Sequence, residues 1–376
     1  MKIIVYIWAV VAVVLLLAGA KVFGRKKWND EVMSLDHTKS FLGWAAFVIL
    51  LHHCSHMTIA SWVNPYFQRP GLEMFVSVGY LMVAVFFFCS GYGLYKSAKA
   101  KPGFFKRFIP ARMIPILIPT AITFAFYIAF RYIRKIPFDI DSPFEVNAHS
   151  TWHPYIWYIP CTLLLYLLFY IGFGLFKKDW IGILVVALGS VGYWIYCWKM
   201  GFGSWWFNTL HLFLCGIIFA KFEKKLIEHM KKLYVLRLII LFVLQHALYY
   251  IGENSWGIMM DMKLNVFEYD MTLIQCIFQM LSAFFFVALC LTIGLKLKVG
   301  NPVLRFFGKM TLELYLIHGM FVHLFAYYII KEGTKPVCYI DNVALYVLVV
   351  VVLSIPVSYA VSLLDKKVGK MLKPKK

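Results

Sequence analysis

The stretch SFLGWAAFVILLHHCSHM, Ser40–Met57, decides the fold. It is an apolar run of helical length that carries two adjacent histidines, His52 and His53. Ionised side chains cost about 2.5–3.5 kcal/mol at the centre of a membrane helix, so ionisable residues persist there where they line a cavity or do chemistry. The pair is a candidate functional site, and the rest of the chain reads as its housing. Of 376 residues, 62% are hydrophobic, 18% aromatic and 15% charged, which makes the expected fold all-α: a polytopic transmembrane helix bundle. An excess of 38 Lys and Arg over 18 Asp and Glu, net +20, would point to nucleic acid in a soluble protein. Here the basic groups recur in alternate loops, as the positive-inside rule requires, so no nucleic-acid partner is inferred.

Spans of about 20 apolar residues fall at 3–21, 40–60, 72–95, 109–130, 155–176, 180–198, 205–221, 235–251, 271–294, 310–330 and 343–364, eleven predicted helices in all. With the N-terminus outside, Arg25–Lys27, Lys96–Arg112, Lys177–Lys178, Lys221–Arg237, Lys296–Lys309 and Lys366–Lys376 all fall on the cytoplasmic side with the C-terminus. Asp139, Asp141, Glu145, Glu253, Asp261, Glu268 and Asp270 then occupy outer loops. The first span ends in Ala18, Gly19 and Ala20, as a cleaved signal peptide does. Arg25, Lys26 and Lys27 follow it as a stop-transfer group, so it reads as a retained anchor. The chain divides into an anchor helix and basic linker (1–33), a membrane-embedded domain (34–366) and a basic tail (367–376). The outer loops at 131–154 and 252–270 are too short for a domain of their own, so chemistry belongs within the membrane or at its faces. No internal repeat is visible, which weakens a transporter reading.

Three groups of residues carry chemical potential. Lys39 lies fourteen residues before His53, about 40° off its helical face and about 21 Å away along the axis. A long donor could be held by its anionic end at Lys39 and meet His53 with its reactive end; a histidine bonded to a neighbouring helix for packing is the plainer alternative. KSAKAKPGFFKRFIPARMIPILIP crowds Lys96, Lys99, Lys101, Lys106, Arg107 and Arg112 against Pro110, Pro115 and Pro119. Arginine's planar fork suits phosphate, and a proline-broken helix frees backbone groups at the membrane face, although positive-inside surplus alone places cations there too. GKMTLELYLIHGMF, Gly308–Phe321, puts Glu313 and His318 in one span, with Tyr315 on the His318 face. The aromatic segment HSTWHPYIWYIP, with His149, Ser150, Trp152, His153, Trp157 and Tyr158, suits a sugar or an interfacial belt equally, as do Trp194, Trp198, Trp205 and Trp206. Eight cysteines stand singly, and neither a disulfide framework nor a metal-ligand spacing emerges.

The order of these motifs resembles the acyltransferase 3 family of integral membrane acyltransferases, particularly its low-GC Gram-positive members. LDHTKSFLGWAAFVILLHH resembles the family's opening R-x10-H helix, FFFCSGYGLYKS its FFxxSGY segment, FFKRFIPARMIPILIP its basic loop, WYIPCTLLLY its WY segment and LELYLIHG its late YLxH helix, together covering about residues 34–330. The resemblance implies a ten- or eleven-helix bundle in the bacterial cell membrane, moving an acyl group from acetyl-CoA or another acyl-CoA to a carbohydrate or other hydroxyl acceptor. It makes His53 the catalytic histidine and places Arg107 and Arg112 in the donor-binding loop; Lys106 of that loop and Lys39 of the opening helix complete the expected donor set. Leu42 stands at the family's arginine position, a departure that Lys39 could offset in charge but not in geometry. His52 and Glu313 complete the expected catalytic set; Ser90, Tyr92, His153, Trp157, Tyr158 and His318 form the expected acceptor set; no metal is expected. A transporter of lipid-linked saccharide or small molecules, with proton-relaying histidines, and a catalytically altered family member are the rival readings.

Overall fold

Each predicted span becomes a helix in the computed structural model, which describes residues 6–63, 68–133, 153, 155–262, 268–326 and 338–371. Asp139, Asp141, Glu145, His149, Ser150 and Trp152 lie outside the described residues, as do the side chains of Glu268 and Asp270. The chain starts with α1 (Ile7–Leu17), α2 (Leu35–His56) and α3 (Gly79–Ala100). The proline-rich segment forms a short α4 (Phe108–Arg112) and a long α5 (Ile114–Ile133). The break falls at Met113, just before Pro115, as the steric bias against helix ahead of proline requires, while Pro119 is accommodated inside α5. Then come α6 (Tyr158–Tyr170), α7 (Asp179–Lys199), α8 (His211–Lys231), α9 (Tyr234–Asp261), α10 (Glu268–Gly294), a short α11 (Pro302–Phe307), α12 (Thr311–Phe325) and α13 (Val343–Met371).

Seven of the helical segments are long and apolar enough to cross a membrane unaided, and the chain is a multi-pass membrane protein. Helix α2 is not among the seven, because its ends are polar: Asp36, His37 and Lys39 at one, His52, His53 and His56 at the other. Apolar side chains on the outside of the bundle, Ile239, Ile240, Phe242 and Val243 of α9 among them, are exposed, as a face in contact with lipid tails should be.

One end of the bundle is basic and cross-tied. Lys96 pairs with Glu223 at 2.7 Å, Lys99 with Asp179 at 2.6 Å, Lys231 with Asp30 at 2.6 Å and Arg305 with Asp36 at 3.5 Å. Exposed pairs like these contribute about 0–1 kcal/mol each; their value is to show that the basic loops share one end. The histidines of α2 lie at the other end.

Of the boundaries that differ from expectation, three shape the surroundings of the histidines and the anchor helix. Helix α1 is shorter than its predicted span, because Gly19 takes a positive φ of 73° and the chain then forms β1 (Lys21–Val22) against β2 (Leu297–Lys298). Trp44 Nε1 donates to Ala12 O at 2.8 Å and Trp8 Nε1 to Ala344 O at 3.1 Å, so α1 is docked on both α2 and α13. Helix α3 begins at Gly79, leaving Glu73–Val78 as a strap across the histidine end. Helix α9 continues ten residues past its predicted end at 251, to Asp261, packed along α10 with Gly252 beside Gln279. This carries Glu253 from the expected outer loop into a helix.

Helices α3 and α8 pack in close backbone contact. Gly91 of the SGY segment lies against the Phe213 carbonyl, and Gly216 against that of Phe88, reciprocal contacts that only small residues permit. Gly91→Val should therefore force the helices apart, at about 1–3 kcal/mol for an overpacked contact, and lower the melting temperature of the purified protein. An unchanged melting temperature would show that the interface can relax.

Candidate functional site

The last two turns of α2 hold His52, His53 and His56 on adjoining faces of the helix, and the three side chains take different partners. His52 lies against Gly79, where a Cβ would collide with its ring, and its Nδ1 is 2.8 Å from Phe75 O. His56 Nε2 is 3.0 Å from Val76 O. A carbonyl can only accept, so both nitrogens carry the proton, and the strap is fixed by two consecutive carbonyls. His53 turns instead towards α12, and its Nδ1 lies 2.6 Å from His318 Nε2.

The protons of this pair follow from one further contact. His318 Nδ1 is 2.7 Å from Leu314 O, so it is the protonated nitrogen of His318. In neutral His318 the Nε2 is then an acceptor, and His53 Nδ1 must donate to it. His53 Nε2 is left with a free lone pair: a neutral imidazole held with its basic nitrogen unprotonated. The two rings are coplanar within 13°, and Tyr155 lies flat across both, at 3.8 Å from His53 and 5.2 Å from His318 between centroids. Tyr315 Oη donates to Tyr155 O at 3.2 Å and secures the plate. Gly319, next to His318, is required there, since any Cβ would run into the Tyr155 ring.

The structure brings some of the expected acceptor residues to this centre and leaves others distant. Tyr158 meets Tyr315 at 5.3 Å, and Trp157 meets Trp206 at 6.5 Å. His153 is fully buried beside Tyr127, at 4.3 Å, with neither ring nitrogen hydrogen-bonded. Ser90 and Tyr92 do not join the group: Ser90 lies eleven residues along α3 from Gly79, about 16 Å at the helical rise, where it bonds Tyr166, and Tyr92 Oη donates to Glu223 at 2.7 Å. Glu313 is buried towards the basic end, near Ser362, Asp365 and Lys366 of α13. Sequence reasoning did not single out Tyr155, His56 or Gly319; the four-residue spacing of His52 and His56 was the signal for His56, and nothing in the sequence marked Tyr155 as a plate.

At the basic end, Phe104, Phe105 and Phe108 stack on one another and on Phe169 and Tyr170. This aromatic plug anchors the loop while Lys106 and Arg107 stand exposed and Arg112 lies over the Phe104 ring at 5.3 Å. Among the described residues none of these three cations has an acidic partner. Lys39 is exposed at the same end, and Leu42 packs against the core. A mostly apolar cavity of about 180 Å³ opens from there between α2, α3 and α10, lined by His37, Thr38, Phe41, Trp44, Val85 and Phe88 among others. Among the described residues no group of His, Cys, Asp or Glu is arranged to hold a metal ion.

A family profile described as an acyltransferase domain matches residues 34–363. No curated protein and no solved structure matches the chain.

Proposed function

Because the chain belongs to this acyltransferase family, we propose that it moves an acyl group, acetyl in the simplest case, from cytoplasmic acyl-CoA to a hydroxyl of an extracytoplasmic glycan or other envelope-associated acceptor. The single observation that carries this reading is the hydrogen bond from His53 to His318, which leaves His53 Nε2 as a positioned base. The acceptor hydroxyl gives its proton to Nε2 as its oxygen attacks the thioester carbonyl. The tetrahedral intermediate then collapses to the ester and CoA thiolate, and the thiolate takes the proton back from His53. Imidazole suits both transfers because its ordinary pKa, about 6.5, lies near neutrality.

In this reading the basic end faces the cytoplasm of a bacterial cell, and Lys106, Arg107, Arg112 and Lys39 hold the phosphates of CoA. The apolar cavity beside Trp44, near the basic end, would receive the thioester arm. Transfer of label from acyl-CoA to a hydroxyl acceptor by the purified protein is the direct test, and its absence with folded protein would favour a transporter or an altered family member. A reporter inserted near Asp261 should read external and one after Lys376 cytoplasmic; the reverse pattern would exchange the donor and acceptor faces.

The donor site gives a separate expectation. Arg107→Ala and Arg112→Ala should each raise the KM for acyl-CoA about tenfold, the loss of about 1.4 kcal/mol of charge-assisted contact, with a smaller rise for exposed Lys39→Ala. The steady-state KM at two salt concentrations checks this, since screening weakens the exposed contacts first. Unchanged values in all three variants would mean that acyl-CoA is not the donor.

A further inference from the structure

A second polar cluster lies beside the histidine end, where α8, α9 and α10 meet. Its core is a chain of side-chain amides whose polarity a carboxylate fixes. Glu253 Oε1 can only accept, so the group 3.3 Å away is the Gln279 amide nitrogen. Gln279 Oε1 then faces the other way and accepts from Asn208 Nδ2 at 3.0 Å and from the Ser204 hydroxyl at 3.2 Å. With its nitrogen committed, Asn208 presents Oδ1 as a bare acceptor; Asn208 is 2% exposed, and that atom has no hydrogen-bond partner. Turning the Asn208 amide over would set two oxygens against each other, so the bare atom is the amide oxygen, an acceptor.

The cluster is joined to the histidines by the strap. Phe75 and Val76 give their carbonyls to His52 and His56, and the next residue, Ser77, lies beside Glu253 and Tyr249. From Phe75 to Ser77 is two residues, at most about 7 Å of chain. The turn that supplies Ser204 also supplies Trp205, 37% exposed, and Trp206, which meets Trp157. Among the described residues no cation pairs with Glu253.

We infer that Glu253, Gln279, Asn208 and Ser204 form a subsite for a carbohydrate unit of the acceptor, one that donates hydrogen bonds through hydroxyl or amino groups and carries no carboxylate. The inference rests on the reading that the histidine end meets the acceptor. The site offers a carboxylate and an unfed amide oxygen, so its ligand must donate; indole faces beside such groups are suited to the apolar face of a sugar ring. An anionic sugar meets the Glu253 carboxylate and is repelled. The unit bound here neighbours the one acylated at His53, because the strap holds both sites in one frame.

Saturation-transfer NMR on the purified full chain in nanodiscs, without acyl donor, tests this with glucosamine, glucose and glucuronate as probes. Glucosamine and glucose should receive saturation, and glucuronate should bind at least about tenfold more weakly, an effect of about 1.4 kcal/mol. Glu253→Gln should erase the advantage of glucosamine over glucose, and Ser204→Ala and Asn208→Ala should weaken both. Equal binding of glucuronate and glucosamine, or unchanged titrations in Glu253→Gln and Asn208→Ala, overturns the subsite. No donor is present, so a chain that binds glucosamine through Glu253 yet transfers no acyl group refutes the enzyme reading and leaves the subsite standing.

Discussion

His53→Ala should lower acyl transfer by about 10²–10⁴-fold, the usual contribution of a positioned general base, in a protein that should still insert and purify folded. The fold survives because the cost is local. Removing the ring takes one hydrogen bond from His318 and one face of contact from Tyr155, and leaving a buried acceptor unpaired costs about 1–3 kcal/mol. Helix α2 keeps its core contacts through Ala45, Phe47, Leu50 and Leu51, all buried. His52→Ala should be milder, because His52 secures the strap at Phe75 O and does not touch His318. Turnover and the elution profile of both variants are the measurement. Full turnover by a folded His53→Ala protein would remove the base from the proposed mechanism.

The helices were legible because length and apolarity alone select them in a membrane, where every backbone group must be bonded within the segment. The histidine pair was legible for the converse reason: an ionisable residue in such a run is an exception that needs a cause. What the sequence could not supply was the third dimension. His53 and His318 are 265 positions apart, and no local period relates them. Glu253 was placed in a loop because its neighbours are polar, yet α9 runs on past it to Asp261 and Gln279 of α10 donates to its carboxylate. Glu313 looked catalytic as a carboxylate inside a span, but it lies near Ser362 and Lys366 of α13, away from the histidines. Ser90 and Tyr92 sit in a motif whose Gly91 serves helix contact, and the motif's polar members lie towards Tyr166 and Glu223.

His318→Leu should lower turnover by about 10–100-fold, the usual effect of losing a residue that orients a reacting group, while the KM for acyl-CoA stays where it was. Leucine fills similar space but accepts no hydrogen bond, so His53 loses the partner that keeps its proton on Nδ1. The ring can then exchange tautomers, and the form with a protonated Nε2 has no lone pair to offer the acceptor hydroxyl. His318→Gln separates orientation from packing, because its amide oxygen can accept from His53 Nδ1 and should restore turnover to within severalfold of the unaltered protein. A purely structural role predicts the reverse order, with apolar leucine tolerated better than an amide at a fully buried position. Nitrogen-15 spectra of histidine-labelled protein read the tautomer directly and without any substrate. The resting protein should show His53 protonated at Nδ1 and bare at Nε2, and His318→Leu should show a mixture. A protonated Nε2 in the unaltered protein at neutral pH would mean that the relay from Leu314 O through His318 to His53 does not set the base, and the proton taken from the acceptor would need another destination.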